Sequence, residues 1–215
     1  MDIAVCSACD TAYAPLQSLT APTIRDYCKI QGYEPRVSIY GSLIRPPSWH
    51  KLIEIGKCLA EGFEAVLWVD TDAIVVRKQI SIQSLMVEGK NLYLSSNWLG
   101  LNCGVILLKN APSTRKLLHM AWSQTQLINH PWWEQAAIRA IIDNGLFDRD
   151  ELLELPSSIF NSEEYYGGCL VYHMPDTPLT ERIKRFGAIL RSQSGDSDES
   201  RAVTESLSRR QATDR

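Results

Sequence analysis

No stretch of the sequence approaches eighteen consecutive apolar residues, so no membrane-spanning helix is expected. Basic residues do not outnumber acidic ones: 22 Lys and Arg stand against 25 Asp and Glu, a formal charge of −3. That balance argues against a nucleic-acid groove, because phosphate binding rests mostly on cationic charge. The opening MDIAVCSACDTAY lacks the charged start and the long apolar run of a secretory leader. No Asn-x-Ser/Thr sequon occurs and no internal repeat is visible. A cytoplasmic protein is the expectation. Cysteines number six, and Cys6 and Cys9 form a CxxC without a second CxxC or His pair at zinc-ribbon spacing. Cys28, Cys58, Cys103 and Cys169 lie singly in apolar patterns, where a thiol behaves as a small hydrophobe. Structural thiols are therefore expected, with a redox or metal role for Cys6 and Cys9 as the weaker alternative.

What is present suits a globular chain: 215 residues, 45% hydrophobic and 22% charged. IAVCSACD, RVSIYG and FEAVLWVD have the length and apolar density of buried strands. Between them PLQSLTAPTIRDYCKIQGY and SWHKLIEIGKCLAEG have helical spacing. The first carries an expected interruption near Pro22; the second has Ser48 as its expected N-cap and Gly62 at its end. Strand, helix, strand, helix, strand predicts an α/β domain with a mostly parallel sheet flanked by helices. NLYLSSNW and GVILLKN are further strand candidates around residues 99–102, and ELLELP and CLVYHMP are short strands stopped by proline. APSTRKLLHMAWSQTQL and PWWEQAAIRAIIDNG read as helices. Residues 1–190 are expected to form one domain, and 191–215, rich in Ser, Asp, Glu and Arg, a disordered tail.

Asp70 and Asp72 interrupt this pattern, because EAVLWVDTDAIVV sets two carboxylates into an apolar run. In parallel α/β sheets ligands sit beyond the carboxyl ends of strands, which is where VLWV delivers them. Two hard oxygen ligands on one turn suit Mn²⁺ or Mg²⁺. Asp-x-Asp alone is a weak signal, since aspartate is common in turns. Two further features add weight. His173 follows another buried strand and offers an imidazole to a carboxylate site. Glu134 and Gln135 open a helix beside Trp132 and Trp133.

In this order the segments resemble the GT-A class of nucleotide-sugar glycosyltransferases. VLWVDTDAIVV is similar to its Asp-x-Asp strand, and NWLGLNCGVILLKN to the strand after it. WWEQAAI is similar to its acidic-Gln helix start, and VYHMP to its late metal-binding histidine. The nearest patterns are the galactosyl- and xylosyltransferases of fungal mannan and plant xyloglucan synthesis. The resemblance implies a single GT-A (Rossmann-like) domain that moves a hexose or pentose, with retention, from a UDP-sugar to a hydroxyl acceptor such as a glycan. It further implies Asp70, Asp72 and His173 around Mn²⁺ (or Mg²⁺), with Asp70 also touching the donor. Cys6, Ser7, Ala8 and Asp10 would line the nucleotide-base pocket, and Trp49 and Lys51 would face the donor. Asn102 and Gly104 would lie along the sugar, with Glu134 and Gln135 as the catalytic pair near the anomeric carbon.

The sequence departs from the family after His173, where Met174, Pro175 and Asp176 replace the usual glycine and nearby basic residue. That departure motivates an alternative, a non-catalytic GT-A-fold protein that binds a glycan or a nucleotide. A nucleotidyltransferase or phosphohydrolase is a third reading. Against it, the first strand ends in CSACDTAY, which is no basic glycine-rich loop, and the Asp-x-Asp lies on the third strand.

Overall fold

The computed structural model describes residues 1–41 and 44–193. The chain divides into two compact units, Met1–Asp176 and Thr177–Arg215. In the first unit β1 (Ile3–Cys9), β2 (Glu34–Ile39), β3 (Ala65–Val69), β5 (Leu92–Asn97), β6 (Gly100–Lys109) and β7 (Leu152–Glu154) form a six-stranded sheet in the order β2-β1-β3-β6-β5-β7. Its pairings are parallel except for β6, which runs antiparallel to both β3 and β5. β4 (Ala73–Val75) and β8 (Val171–His173) pair separately as an antiparallel ribbon. The helices are α1 (Ala14–Gln31), α2 (His50–Ala60), α3 (Pro112–Ser123), α4 (Trp133–Asp143) and the one-turn α5 (Ser157–Phe160). The second unit is described only through a helix over 179–193, so the expected tail lies, past 193, outside the described residues.

Period-two alternation sorts the strand side chains into two cores. Ala4, Cys6, Val66, Trp68, Leu92, Ile106 and Leu108 pack with Leu52, Ile55 and Leu59 of α2, Leu117 of α3 and Ile138 of α4. Val5, Leu67, Val69, Tyr93, Val105 and Leu107 face the other way, onto Ile24 and Tyr27 of α1 and onto the β4–β8 ribbon. The sheet is thus covered on both sides, as the unbroken apolar run of β3 requires. Leu67 is fully buried at its centre. Leu67→Ala should destabilise the protein by about 2–5 kcal/mol through lost transfer energy and a residual cavity, read as a lowered urea midpoint.

Three local expectations are corrected. α1 runs unbroken through Pro22, although an interior proline costs about 3 kcal/mol. Leu16, Ile24, Tyr27 and Cys28 bury on both sides of the proline and hold the helix together. Ser48 does not cap α2: it lies in a 3-10 turn, Pro47–Trp49, and Trp49 occupies the cap position without a side-chain bond. Residues 100–102 are not a connection but the start of β6, so β5 and β6 form a tight hairpin turning at Trp98 and Leu99. All six cysteines are free and buried. Three residues apart on a strand, Cys6 and Cys9 face opposite sides of the sheet and cannot chelate together. Cys6 instead meets Cys58, with the sulfurs 3.4 Å apart, and that contact and burial hold its thiol well above the ordinary range. Burial also pushes the Cys9 thiol up to about 11.

Candidate active site

β3 leaves the sheet at Asp70, whose backbone N–H donates to the Gly104 carbonyl at 2.8 Å. The next residues turn sharply, with the Ala73 N–H donating to the Asp70 carbonyl at 3.1 Å. Thr71 faces inward and donates its hydroxyl to the Ala8 carbonyl of β1 at 3.2 Å, tying the turn to the end of the first strand. Beyond the turn, β4 pairs with β8 in a register that sets Ala73 opposite His173. The Met174 N–H donates to the Asp72 carbonyl at 2.9 Å and extends that pairing by one bond. The ribbon therefore carries His173, about a hundred residues later in sequence, onto the carboxylate turn. His173 Nε2 lies 3.4 Å from Asp72 Oδ1, and one ligand atom from each of Asp70, Asp72 and His173 falls within 4.8 Å of the others.

Gly104 makes this approach possible. A Cβ built there would clash with the edge of the His173 ring, against Cε1 and 2.6 Å from Nδ1, closer than real Cβ contacts come. Its backbone is pinned as well, because the Gly104 N–H donates to Asn102 Oδ1 at 2.8 Å. Asn161 Nδ2 donates to the same oxygen at 2.9 Å, so Asn102 joins β6 to the segment before β8. Gly104→Ala should displace the imidazole from the carboxylates. Mn²⁺ affinity is expected to fall at least about tenfold while the urea midpoint moves by a smaller margin; unchanged affinity would refute the packing argument.

Beneath the carboxylates lies a buried charge cluster. Lys51, in the first turn of α2, is 2% exposed and Glu134, in the first turn of α4, 3%. Lys51 Nζ lies 3.0 Å from Asp70 Oδ1 and 2.8 Å from Glu134 Oε1, and it donates to the Cys103 carbonyl at 2.9 Å. Three acceptors match the three hydrogens of an ammonium. Burial alone would lower the Lys51 pKa, but Asp70 and then Glu134 hold it well above the usual lysine range. Trp68, two residues before Asp70, donates its indole N–H to Asp70 Oδ1 at 2.5 Å. Burial pushes the Asp70 carboxyl upward; Lys51 opposes that rise and Asp72 adds to it. Gln135 accepts from the Cys103 N–H through Oε1 at 2.8 Å. A donor on that side fixes the amide oxygen there and turns the NH₂ the other way.

Of the residues expected at the site, Asp70, Asp72, His173, Asn102, Gly104, Lys51, Glu134 and Gln135 are linked by these contacts. Asp10 lies just past β1 and accepts from the Tyr13 N–H at 3.0 Å. Ala8 meets Thr71, and Ser7 is buried with no hydrogen-bond partner for its hydroxyl. The Cys6 side chain turns away onto Cys58, so β1 presents residues 8–10 at its open end. Lys51 faces the two carboxylates and a carbonyl rather than open space. Trp49 is fully buried and donates its indole N–H to the Ile128 carbonyl at 3.2 Å. Trp68, Asn161 and Thr71 had no expected role. Only Trp68 carried a sequence signal, two residues from Asp70 on the same strand side.

The donor set fits a hard divalent cation. Two carboxylates and one imidazole converge, and Asp70, Asp72 and Glu134 against Lys51 leave two formal negative charges for a cation to neutralise.

No family model matches the chain. In sequence it is similar to "Probable glycosyltransferase 6" of rice, in both the indica and japonica subspecies, at 30% identity over 100 residues. That alignment covers 40% of this chain and 20% of the relative, so the chain matches about a fifth of the length of these curated relatives. In structure it is similar to a glycosyltransferase involved in glycosylation of the major capsid of PBCV-1, with a TM-score of 0.71 at 16% identity over 87% of this chain and 100% of that one. An active-site mutant of LgtC aligns with a TM-score of 0.56 at 14% identity, over 86% of this chain and 95% of that one. Mouse xyloside xylosyltransferase 1 aligns with a TM-score of 0.50 at 13% identity, over 83% and 99%. The fold is that of the GT-A glycosyltransferases.

Proposed function

We propose that the protein is a metal-dependent glycosyltransferase that moves a hexose or pentose from a UDP-sugar to a hydroxyl acceptor, with retention of configuration. The observation that carries this reading is the convergence of Asp70, Asp72 and His173 above the buried Lys51–Glu134 pair, on a GT-A fold. Asp70, Asp72 and His173 would hold Mn²⁺ or Mg²⁺, which supplies charge neutralisation to a diphosphate leaving group. The chain's own residues orient and support. The Thr71–Ala8 bond holds the carboxylate turn against β1, whose end offers Ala8 to Asp10 to the nucleotide. Lys51 fixes Asp70 and Glu134 relative to each other, and Asn102 holds the Gly104 backbone beside the sugar's path. Glu134 keeps one carboxylate oxygen on Lys51 while Oε2 has no hydrogen-bond partner, and the Gln135 NH₂ is turned away from β6. Glu134 would stabilise positive charge developing near the anomeric carbon and the Gln135 NH₂ would hold a hydroxyl there, a preorganised role that needs no strong nucleophile.

A panel of UDP- and GDP-sugars, incubated with Mn²⁺ and again with chelator, tests the reading. Metal-dependent release of UDP, with products of unchanged anomeric configuration by NMR, is expected. Absence of turnover for every donor would sink it. The residues after His173 favour a second reading, the same fold binding donor without turnover. Tight Mn²⁺-dependent UDP binding without sugar release would select it.

Metal binding should also depend on pH. Burial alone would lower His173 below its ordinary 6.5, but Asp72 beside it outweighs burial and the net direction is up. A raised histidine pKa stabilises the metal-free fold below the unfolded value, and that contribution is lost as pH rises through the folded value. Cation binding runs the other way, because the cation needs the neutral imidazole. Mn²⁺ affinity measured calorimetrically at pH 6 should be at least about tenfold weaker than at pH 8. Equal affinities would exclude His173 as a ligand.

A further inference from the structure

The surface around this site carries a feature that donor chemistry leaves unused. Among the described residues the exposed aromatic side chains are Trp98, Trp132, Trp133, Tyr165 and Tyr166, with Trp98 85% exposed. Scattered exposed aromatics would need no account; these five fall on segments tied to one another and to the site. Trp98 stands at the tip of the β5–β6 hairpin. Arg139 of α4 donates to the Leu99 carbonyl in that tip at 2.8 Å and lies 4.9 Å from the centre of the Trp132 ring. Trp133 directly precedes the buried Glu134 and takes a left-handed backbone, φ 41°, which a bulky residue adopts only under constraint. On the other flank Asn97 donates to Glu163 at 2.7 Å and joins the hairpin to the segment bearing Tyr165 and Tyr166. Tyr165 packs edge-on against Tyr172, the neighbour of His173.

We propose that this aromatic rim, led by Trp98, is the acceptor subsite and that it receives a pyranose glycan. This rests on the transferase reading, because the occupant of such a rim is taken to be the group that accepts the sugar. The chemistry favours a carbohydrate. One face of a pyranose presents C–H groups, which the electron-rich face of an indole or phenol attracts, while its hydroxyls project at the ring edge. Glu163 and Glu164, exposed and directly before Tyr165 in the chain, supply carboxylates for those hydroxyls. A protein-docking surface would need a contiguous apolar patch, whereas here the exposed Glu163 and Glu164 adjoin Tyr165 and Tyr166 in the chain.

The test uses the whole chain without donor, on an array of pyranose oligosaccharides, followed by tryptophan-fluorescence titration of the bound glycans. The wild type should bind at least one glycan class, and Trp98→Ala should weaken that binding about tenfold or more. Trp98→Phe, which keeps an aromatic face, should retain most of it. Leu146→Ala, exposed beyond the far end of α4, should bind as the wild type does. No glycan binding at millimolar concentration, or binding unmoved by Trp98→Ala, overturns the proposal, as does a rim that binds peptides in preference to glycans. Donor turnover without glycan binding overturns the rim and leaves the transferase reading standing; glycan binding without turnover of any donor overturns the transferase reading and the acceptor role with it.

Discussion

Asp72→Asn should lower the rate of donor turnover by about a thousandfold or more, because one lost metal carboxylate removes several kcal/mol of transition-state stabilisation. Asp72 shows the effect most cleanly. Its carboxylate faces His173 across 3.4 Å and contributes to the three-residue cluster, whereas Asp70 is also bound to Lys51 and Trp68. Asparagine keeps the size and the backbone, so the Met174 N–H retains its Asp72 carbonyl partner. Unfolding by urea should therefore change little, and Mn²⁺ binding should fall in parallel with the rate. Full turnover by Asp72→Asn would remove this residue from the metal site.

Lys51→Met should have the largest effect on stability. It removes the cation bonded to both Asp70 and Glu134 and leaves the buried Glu134 carboxylate without its counter-ion. Breaking a buried pair from one side costs about 3–5 kcal/mol, more than the intact pair is worth over a well-packed apolar replacement. The double variant Lys51→Met, Glu134→Gln should lose less than the sum of its single changes, because the uncompensated charge is gone. Urea denaturation of the four proteins gives this coupling directly; strict additivity would mean the contact carries no energy. Activity need not recover in the double variant, since Asp70 would still lack its support.

Much of this was legible because periodicity and burial agree. The unbroken apolar run of β3 is a strand covered on both faces, and it sets Asp70 and Asp72 at the carboxyl edge of the sheet. Gly62 follows α2 with positive φ, as its place after the helical run suggested. The β4–β8 ribbon was less legible. β4 has three residues, too few to show alternation, and its existence depends on a partner a hundred residues away. The ribbon is nonetheless what brings His173 to Asp72. Pro22 misled because local propensity was outweighed by packing along α1. Lys51 was legible as a site residue, but not its depth, since helical spacing cannot tell which lysine will meet two carboxylates. Asn161 sits in an irregular segment and gains meaning only from Asn102 across the fold.

On the proposed function, Asp70, Asp72 and His173 form one cation-dependent nucleotide site. Calorimetric titration of UDP into the wild type and His173→Ala, with Mn²⁺ and then with chelator, tests it most directly. UDP should bind the wild type only with Mn²⁺ present, and His173→Ala should lose that binding while remaining folded. UDP binding of equal strength without metal, or undiminished in His173→Ala, would contradict it.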